Sequence, residues 1–314
     1  MEEKKLLDFS INENMDIFVL IKSAEVRVAK NGKKFIAFNF ADKSGEISAK
    51  FWNATEKEIE EFKEGKVVRL KGKRENYQDN PQIKIFNLRI ATENEPNKPE
   101  YYLQTTPESI KKIEEEINNT FFEITNPKWN RIVRYLLNKY HDSFFSFPAA
   151  KKNHPFSGGL AFHTVSMLRL AKAIAKEYDV LNESLLYAGV LLHDLGKVKE
   201  LSGPIATKYT LEGNMIGHIV IVDEEIVKAC EILQIDYNSE EVILLRHMIL
   251  SHHGLLEYGS PVRPHIMEAE VLHQIDQLDA SIQMMKSSLS HTESGEFSER
   301  IFGLDGRNFY KPKE

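Results

Sequence analysis

One series of residues constrains this chain more than any other: His163, the adjacent pair His193-Asp194, His218, the adjacent pair His252-His253, and Asp276. All but Asp276, which sits mid-helix, fall at or near the ends of segments with a 3.6-residue apolar period. Side chains spread over so many helices act together only if those helices pack around one centre. The pivotal stretch is Leu191-Leu192-His193-Asp194-Leu195-Gly196-Lys197. An imidazole and a carboxylate side by side can grip a divalent cation, with the aspartate bridging to a second ion. The run Ser184–Leu192 before it is apolar nearly all round and predicts a buried helix. Gly196 is expected to end that helix, putting His193 and Asp194 in its last turn, facing a cavity, with Lys197 able to swing over it. A lone His-Asp pair would be no more than a buried polar pair at a helix end. Here five further residues of ligand type accompany it.

The first part of the chain is of another kind. Ile17–Ile21 leading into Ala24–Val28, then Phe35–Phe40, Glu46–Trp52, Val67–Gly72 and Gln82–Leu88, read as strands, with Asn31-Gly32 as a hairpin signal. A short helix from Thr55 to about Phe62, with Thr55 and Glu58 as a capping box, separates the third strand from the fourth. Five short strands with one helix in that position match the small barrel called the OB-fold. Residues 91–105 are polar and proline-punctuated, as in a linker. Helices are expected near residues 107–119, 128–141, 160–178, 183–195, 213–234, 239–252 and 266–288. The stretch 298–310 is too apolar for a free tail and is expected to dock on the helical domain or on a partner subunit.

Composition sets the bounds. The chain of 314 residues is long enough for two cores, and 42% hydrophobic with 28% charged residues is ordinary for a soluble protein. It has no apolar run of membrane-spanning length and no signal-peptide core, so the cytoplasm is the expected location. The single cysteine, Cys230, excludes an intrachain disulfide or a thiolate metal site. The net charge of −6 conceals an asymmetry: residues 1–90 balance at +3 and the rest at −9. A mildly basic first domain suits a polyanion, and an acidic second one suits cations.

The order H…HD…H…HH…D on helices resembles the HD superfamily of metal-dependent phosphohydrolases, over roughly residues 150–290. The expected architecture is therefore multidomain: an all-β OB-fold barrel over residues 1–90, the linker over 91–105, and an all-α HD-type helical domain over 106–314. The resemblance implies that His163, His193, Asp194 and Asp276 hold one ion. Asp194 would bridge to a second ion held by His218, His252 and His253, and Lys197 would neutralise charge on the phosphoryl oxygens. Imidazoles and carboxylates without thiolates suit Mn, Co, Fe, Ni or Mg ions. Two residues compete for one place, since Asp279 follows Asp276 on the same helix face; the family pattern selects Asp276. Neighbours at a helix end need not point the same way, which makes His253 a weaker expectation than His252. His154, His247 and His273 are expected to be structural or supporting groups, and His141, His265 and His291 carry no signal. There is no P-loop, Gly-x-Ser-x-Gly or His-Glu-x-x-His motif.

OB barrels commonly bind single strands by stacking bases on aromatic side chains beside a basic groove. Phe35, Phe38, Phe40, Phe51, Trp52, Tyr77 and Phe86 are interleaved here with Lys33, Lys34, Lys50, Arg69, Lys71, Lys73, Arg74 and Lys84. Alternation puts Phe38 and Phe40 on one strand face and Phe35 on the other, so one set is core. Trp52, Lys73 and Tyr77 are the expected nucleic-acid contacts.

At whole-chain scale the sequence resembles the YhaM family of 3′→5′ exoribonucleases. The stretches Asp42–Trp52, Leu192–Lys197, Glu200–Pro204, Glu212–His218, Arg246–Gly254 and Glu299–Leu304 carry the resemblance. It implies stepwise hydrolysis of single-stranded RNA, and also of single-stranded DNA, to nucleoside 5′-monophosphates, with two divalent ions, Mn²⁺ foremost. Two rivals are a nucleotide or cyclic-dinucleotide phosphohydrolase with a regulatory barrel, and a non-catalytic single-strand binding protein. RNA-versus-DNA preference and oligomeric state are not readable from the residues.

Overall fold

A computed structural model describes residues 4–29, 31–77, 80–149, 156–205, 207–290 and 292–313. Contacts divide the chain into two compact units, residues 1–105 with 204–207, and residues 106–203 with 208–314.

In the first unit, β1 (Asn14–Val28), β2 (Lys34–Asp42), β3 (Gly45–Trp52), β4 (Val67–Tyr77) and β5 (Asn80–Ile90) close a barrel in the order β1-β2-β3-β5-β4. The helix α1 (Glu56–Glu61) lies between β3 and β4, and Thr55 with Glu58 forms its capping box. Closure depends on β1 serving two partners. Residues 14–20 pair with β4 and residues 20–28 with β2, with a register shift between Ile21 and Ser23. The parallel pairing of β3 with β5 completes the ring. Inside lie Val19, Ile21, Ile36, Phe38, Phe40, Ile47, Val68, Leu70 and Ile83, all buried. Phe38 and Phe40 stack in this core, whereas Phe35 turns outward and meets the Trp52 ring at 4.7 Å. Gly72 marks a second register shift; a Cβ there would press on the Lys84 carbonyl. The proline-punctuated stretch carries a 3₁₀ turn, Pro99–Tyr102, whose Tyr102 is buried with Leu20, Val67 and Ala91.

The second unit is helical. Its elements are α2 (Ile110–Thr120), α3 (Pro127–Lys139), α4 (His141–Ser146), α5 (Gly159–Glu177), α6 (Glu183–Leu192) and α7 (Lys197–Glu200), followed by α8 (Leu211–Met215), α9 (His218–Leu233), α10 (Glu240–Ser251) and α11 (Met267–Ser290). Asn126, Asn182 and Thr210 cap α3, α6 and α8 by accepting backbone N–H bonds. As its composition requires, α6 is buried from Ser184 to Leu192 and packs against α3, α5, α10 and α11. Cys230 is buried in the same core.

Three expectations about the helices need correction. Residues 213–234 do not form one helix: the chain breaks at Ile216-Gly217, where Gly217 takes φ +79°, and His218 opens α9. Residues 128–141 likewise split at Tyr140. Gly196 does not end α6 through a left-handed turn. Its φ is −60°, and α6 closes earlier, at Leu192. A glycine is needed there for a different reason, because a Cβ would collide with the backbone of His218. The tail closes on itself through bridges Phe297–Tyr310 and Ile301–Arg307, and its 3₁₀ turn Phe302–Leu304 lies against α11. Among the described residues no helix is long and apolar enough to cross a membrane.

Candidate metal centre and nucleic-acid interface

Asp194 occupies the centre of the helical unit, buried in the turn between α6 and α7. Its two oxygens face different neighbours. Oδ2 lies 3.4 Å from His193 Nε2, 3.6 Å from His163 Nε2 and 2.7 Å from Lys197 Nζ. Oδ1 lies 3.4 Å from His218 Nε2 and 3.9 Å from His252 Nε2. Asp276 joins from α11, its Oδ1 3.3 Å from His163 Nε2. Two compact donor groups result, His163 with His193 and Asp276, and His218 with His252 and His253. Within each group the donor atoms lie within 4.8 Å of one another. The seven residues named from the chain order thus meet at one place, with Asp194 between the two groups.

Each imidazole is turned by a bond at its far nitrogen. Nδ1 of His193 donates to the Val190 carbonyl at 2.8 Å, that of His252 to Ile249 at 2.7 Å, and that of His253 to Tyr258 at 2.7 Å. Nδ1 of His163 donates to Asp279 Oδ2 at 2.8 Å, and that of His218 to Glu200 Oε1 at 3.0 Å. These partners assign the proton to Nδ1 and leave the Nε2 lone pairs aimed inward. The consequence is a donor-poor cluster: His163 Nε2 and His193 Nε2 face each other at 3.3 Å. Among the described residues the buried Nε2 atoms of His218 and His252 have no hydrogen-bond partner. A buried polar atom left so is costly, and a cation satisfies it. The site therefore fits divalent ions held by nitrogen and oxygen.

Charge follows the same logic. Burial opposes charge on Asp194, but Lys197 and the surrounding imidazoles outweigh it and hold the carboxyl well below its usual range. Asp276 is also held low, burial being overcome by its bond to His163. For His163, burial is outweighed by Asp276 and Asp279, which push the imidazole up to about 9 in the absence of a cation; its Nε2 then carries a proton facing Asp276, and a cation held at Nε2 would take that proton's place. Burial, aided by His253 and His193, keeps His252 neutral. Lys197 stays cationic despite burial because Asp194 pairs with it.

Other residues fall into supporting places. Asp279 does not join Asp276 in facing the donor group. It holds His163 from behind and accepts a second bond from Ser166 Oγ at 2.6 Å. His273 donates to the His252 carbonyl at 3.0 Å, and Gly254 leaves room for its ring. His247 accepts from the His265 backbone N–H. His154 and His291 lie outside the described residues. In the sequence Glu200 has no role beyond its place in the stretch Glu200–Pro204, since no spacing ties it to His218.

On the barrel, Trp52 and Tyr77 are 55% and 52% exposed. They line a groove of about 370 Å³ with Lys50, Glu75, Gln82 and Lys84. The Lys50 ammonium lies 5.8 Å from the Trp52 ring and 5.2 Å from the Tyr77 ring. Lys73 is not among the residues lining this groove, but it pairs across β4–β5 with Lys84, which is. Lys50 and Lys84 are the groove cations that the sequence alone did not separate from the other lysines.

Family models match both units: one described as OB-fold nucleic acid binding domain over residues 19–91, and one described as HD domain over residues 160–281. Proteins named 3′-5′ exoribonuclease YhaM from Listeria monocytogenes (strain CLIP80459), Listeria welshimeri and Listeria innocua are each 50% identical over 311 residues. In each case the match covers 99% of this chain and 99% of the relative. Half-identity along both full lengths, together with the barrel and the helical unit each matching its own model, establishes that this chain belongs to the YhaM family of 3′-5′ exoribonucleases.

Proposed function

We propose that the chain is a metal-dependent 3′→5′ exoribonuclease that shortens single-stranded RNA, and also single-stranded DNA, one nucleotide at a time. Its products are nucleoside 5′-monophosphates. The observation that carries this reading is the position of Asp194, whose two carboxylate oxygens each face a separate group of imidazoles.

His163, His193 and Asp276 would hold one divalent ion and His218, His252 and His253 the other, with Asp194 shared; Mn²⁺ is the ion we favour. Such a pair of ions lowers the pKa of water and screens phosphate charge. The chain's own residues do the rest. The Nδ1 bonds fix all five imidazoles before substrate arrives, so no reorganisation is needed during the reaction. Lys197, paired with Asp194, remains a cation within reach of the phosphoryl oxygens as charge builds on them. Water attacks the terminal phosphorus, the bond from phosphorus to the upstream 3′-oxygen breaks, and that oxygen leaves with a proton. The shortened strand then carries a new 3′-hydroxyl, ready for the next cycle. Upstream, Trp52 and Tyr77 would stack bases while Lys50, Lys84 and Lys73 follow the backbone.

The test is a 5′-labelled single strand of RNA or DNA incubated with the protein and Mn²⁺, beside free nucleotides and a cyclic dinucleotide. The proposal expects a ladder shortening from the 3′ end and loss of that ladder in Asp194→Ala with strand binding retained. Hydrolysis of the nucleotides alone would replace it with the phosphohydrolase reading.

A further inference from the structure

The five imidazoles of the metal centre are not backed alike. His193, His252 and His253 lean on backbone carbonyls, whereas His163 and His218 lean on the buried carboxylates of Asp279 and Glu200. One carboxylate-backed imidazole falls in each donor group. Resting on the metal-centre reading above, we propose that Asp279 and Glu200 are positioning residues that tune the two cation positions separately, Asp279 through His163 and Glu200 through His218.

The chemistry behind this is the difference between the two kinds of acceptor. A carbonyl fixes the tautomer and the ring plane. A carboxylate does both and also stabilises positive charge drawn onto the ring when its other nitrogen donates to a metal. Burial strengthens that effect, because little solvent screens it. Neither acid is in the position of a ligand: each reaches its histidine at Nδ1, on the side away from Asp194.

Each acid is also built in with care. Asp279 stands on α11 one turn beyond Asp276, and its second oxygen is occupied by Ser166 Oγ from α5, the helix that carries His163. Glu200 ends α7 and uses one oxygen twice, accepting from the His218 backbone N–H at 3.1 Å and from its Nδ1. Its backbone is seated by the Thr210 N–H, and a Cβ at Gly213 would collide with it. His218 in turn packs on Gly196, where no Cβ fits. Two glycines and a helix cap thus hold this carboxylate against this imidazole. A capping role alone would need only the bond to the backbone N–H.

The experiment compares the full-length chain with Glu200→Gln and Asp279→Asn, which preserve shape and remove charge. Mn²⁺ binding is followed by calorimetry and by the paramagnetic resonance of free Mn²⁺, and the metal-free melting temperature is recorded for each protein. Wild type is expected to take up two ions. Each variant should weaken one of them by about 10- to 100-fold while melting close to wild type without metal. His252→Ala, which removes a donor from the second group, separates the sites. In that background Asp279→Asn should weaken the remaining ion further and Glu200→Gln should not. Glu200→Asp, which keeps the charge but draws it back, supplies a second variant and should lie between wild type and Glu200→Gln. Wild-type affinities in both charge-neutral variants, with two ions bound, would overturn the inference and leave the metal centre standing. Absence of any Mn²⁺ binding to wild type would overturn the metal centre itself.

Discussion

His163 stands between two carboxylates of one helix: its Nδ1 donates to Asp279 Oδ2 at 2.8 Å, and its Nε2 lies 3.3 Å from Asp276 Oδ1. A spacing of three residues places both acids on one face of α11. Their surroundings separate them. Asp276 faces the donor group with one oxygen, whereas Asp279 is filled by His163 and Ser166.

Asp276→Asn should therefore lower the rate of strand shortening by at least about a hundredfold, or about 3 kcal/mol of transition-state stabilisation. Steady-state turnover on a short single-stranded RNA with Mn²⁺ checks this. A loss confined to KM would mean that Asp276 binds substrate and not metal.

Gly196→Ala should damage the centre without touching a ligand. The added methyl meets the His218 backbone, an overpacked contact that costs about 1–3 kcal/mol. The expected outcome is a lower melting temperature together with weaker binding at the His218 position. Melting with and without Mn²⁺ separates the two effects.

The barrel groove predicts a division of labour. Trp52→Ala and Tyr77→Ala should each weaken single-strand binding by about 1–3 kcal/mol with little change in salt dependence. Lys50→Ala and Lys84→Ala should instead flatten the dependence of log affinity on log salt by about 0.7 each. Fluorescence anisotropy of a labelled oligonucleotide across a salt series measures both.

The helical unit also carries an acid-sensitive tie. Arg169, and then Lys112, hold Glu108 down to about 2 from its ordinary 4.5. A carboxylate whose pKa falls on folding stabilises the fold above its unfolded value, and that contribution fades as pH drops from about 4.5 toward 2. With Arg169 partly exposed, solvent screening limits the effect. Glu108→Gln should cost about 0.5–1 kcal/mol at neutral pH. The gap between variant and wild-type melting curves should close near pH 2.

Chain order brought out His163, His193, Asp194, His218, His252 and His253, because helix ends and an adjacent His-Asp pair leave a local trace, whereas Asp276, in mid-helix beside Asp279, was selected by the family pattern. The barrel was equally legible, since alternation separates the buried Phe38 and Phe40 from the outward Phe35. What escaped depends on contacts between segments distant in the chain. Gly196 looked like a helix terminator, yet its requirement comes from the His218 backbone. Gly217, with its positive φ, splits a pattern that apolar periodicity alone runs together. Glu200 is one acid among many until the fold sets it against His218.

The most direct measurement is anomalous diffraction at the manganese edge from crystals of the full chain grown with Mn²⁺. Two peaks should flank Asp194, one beside His163, His193 and Asp276 and the other beside His218, His252 and His253. A single peak away from Asp194, or peaks that Asp194 does not share, would contradict the account.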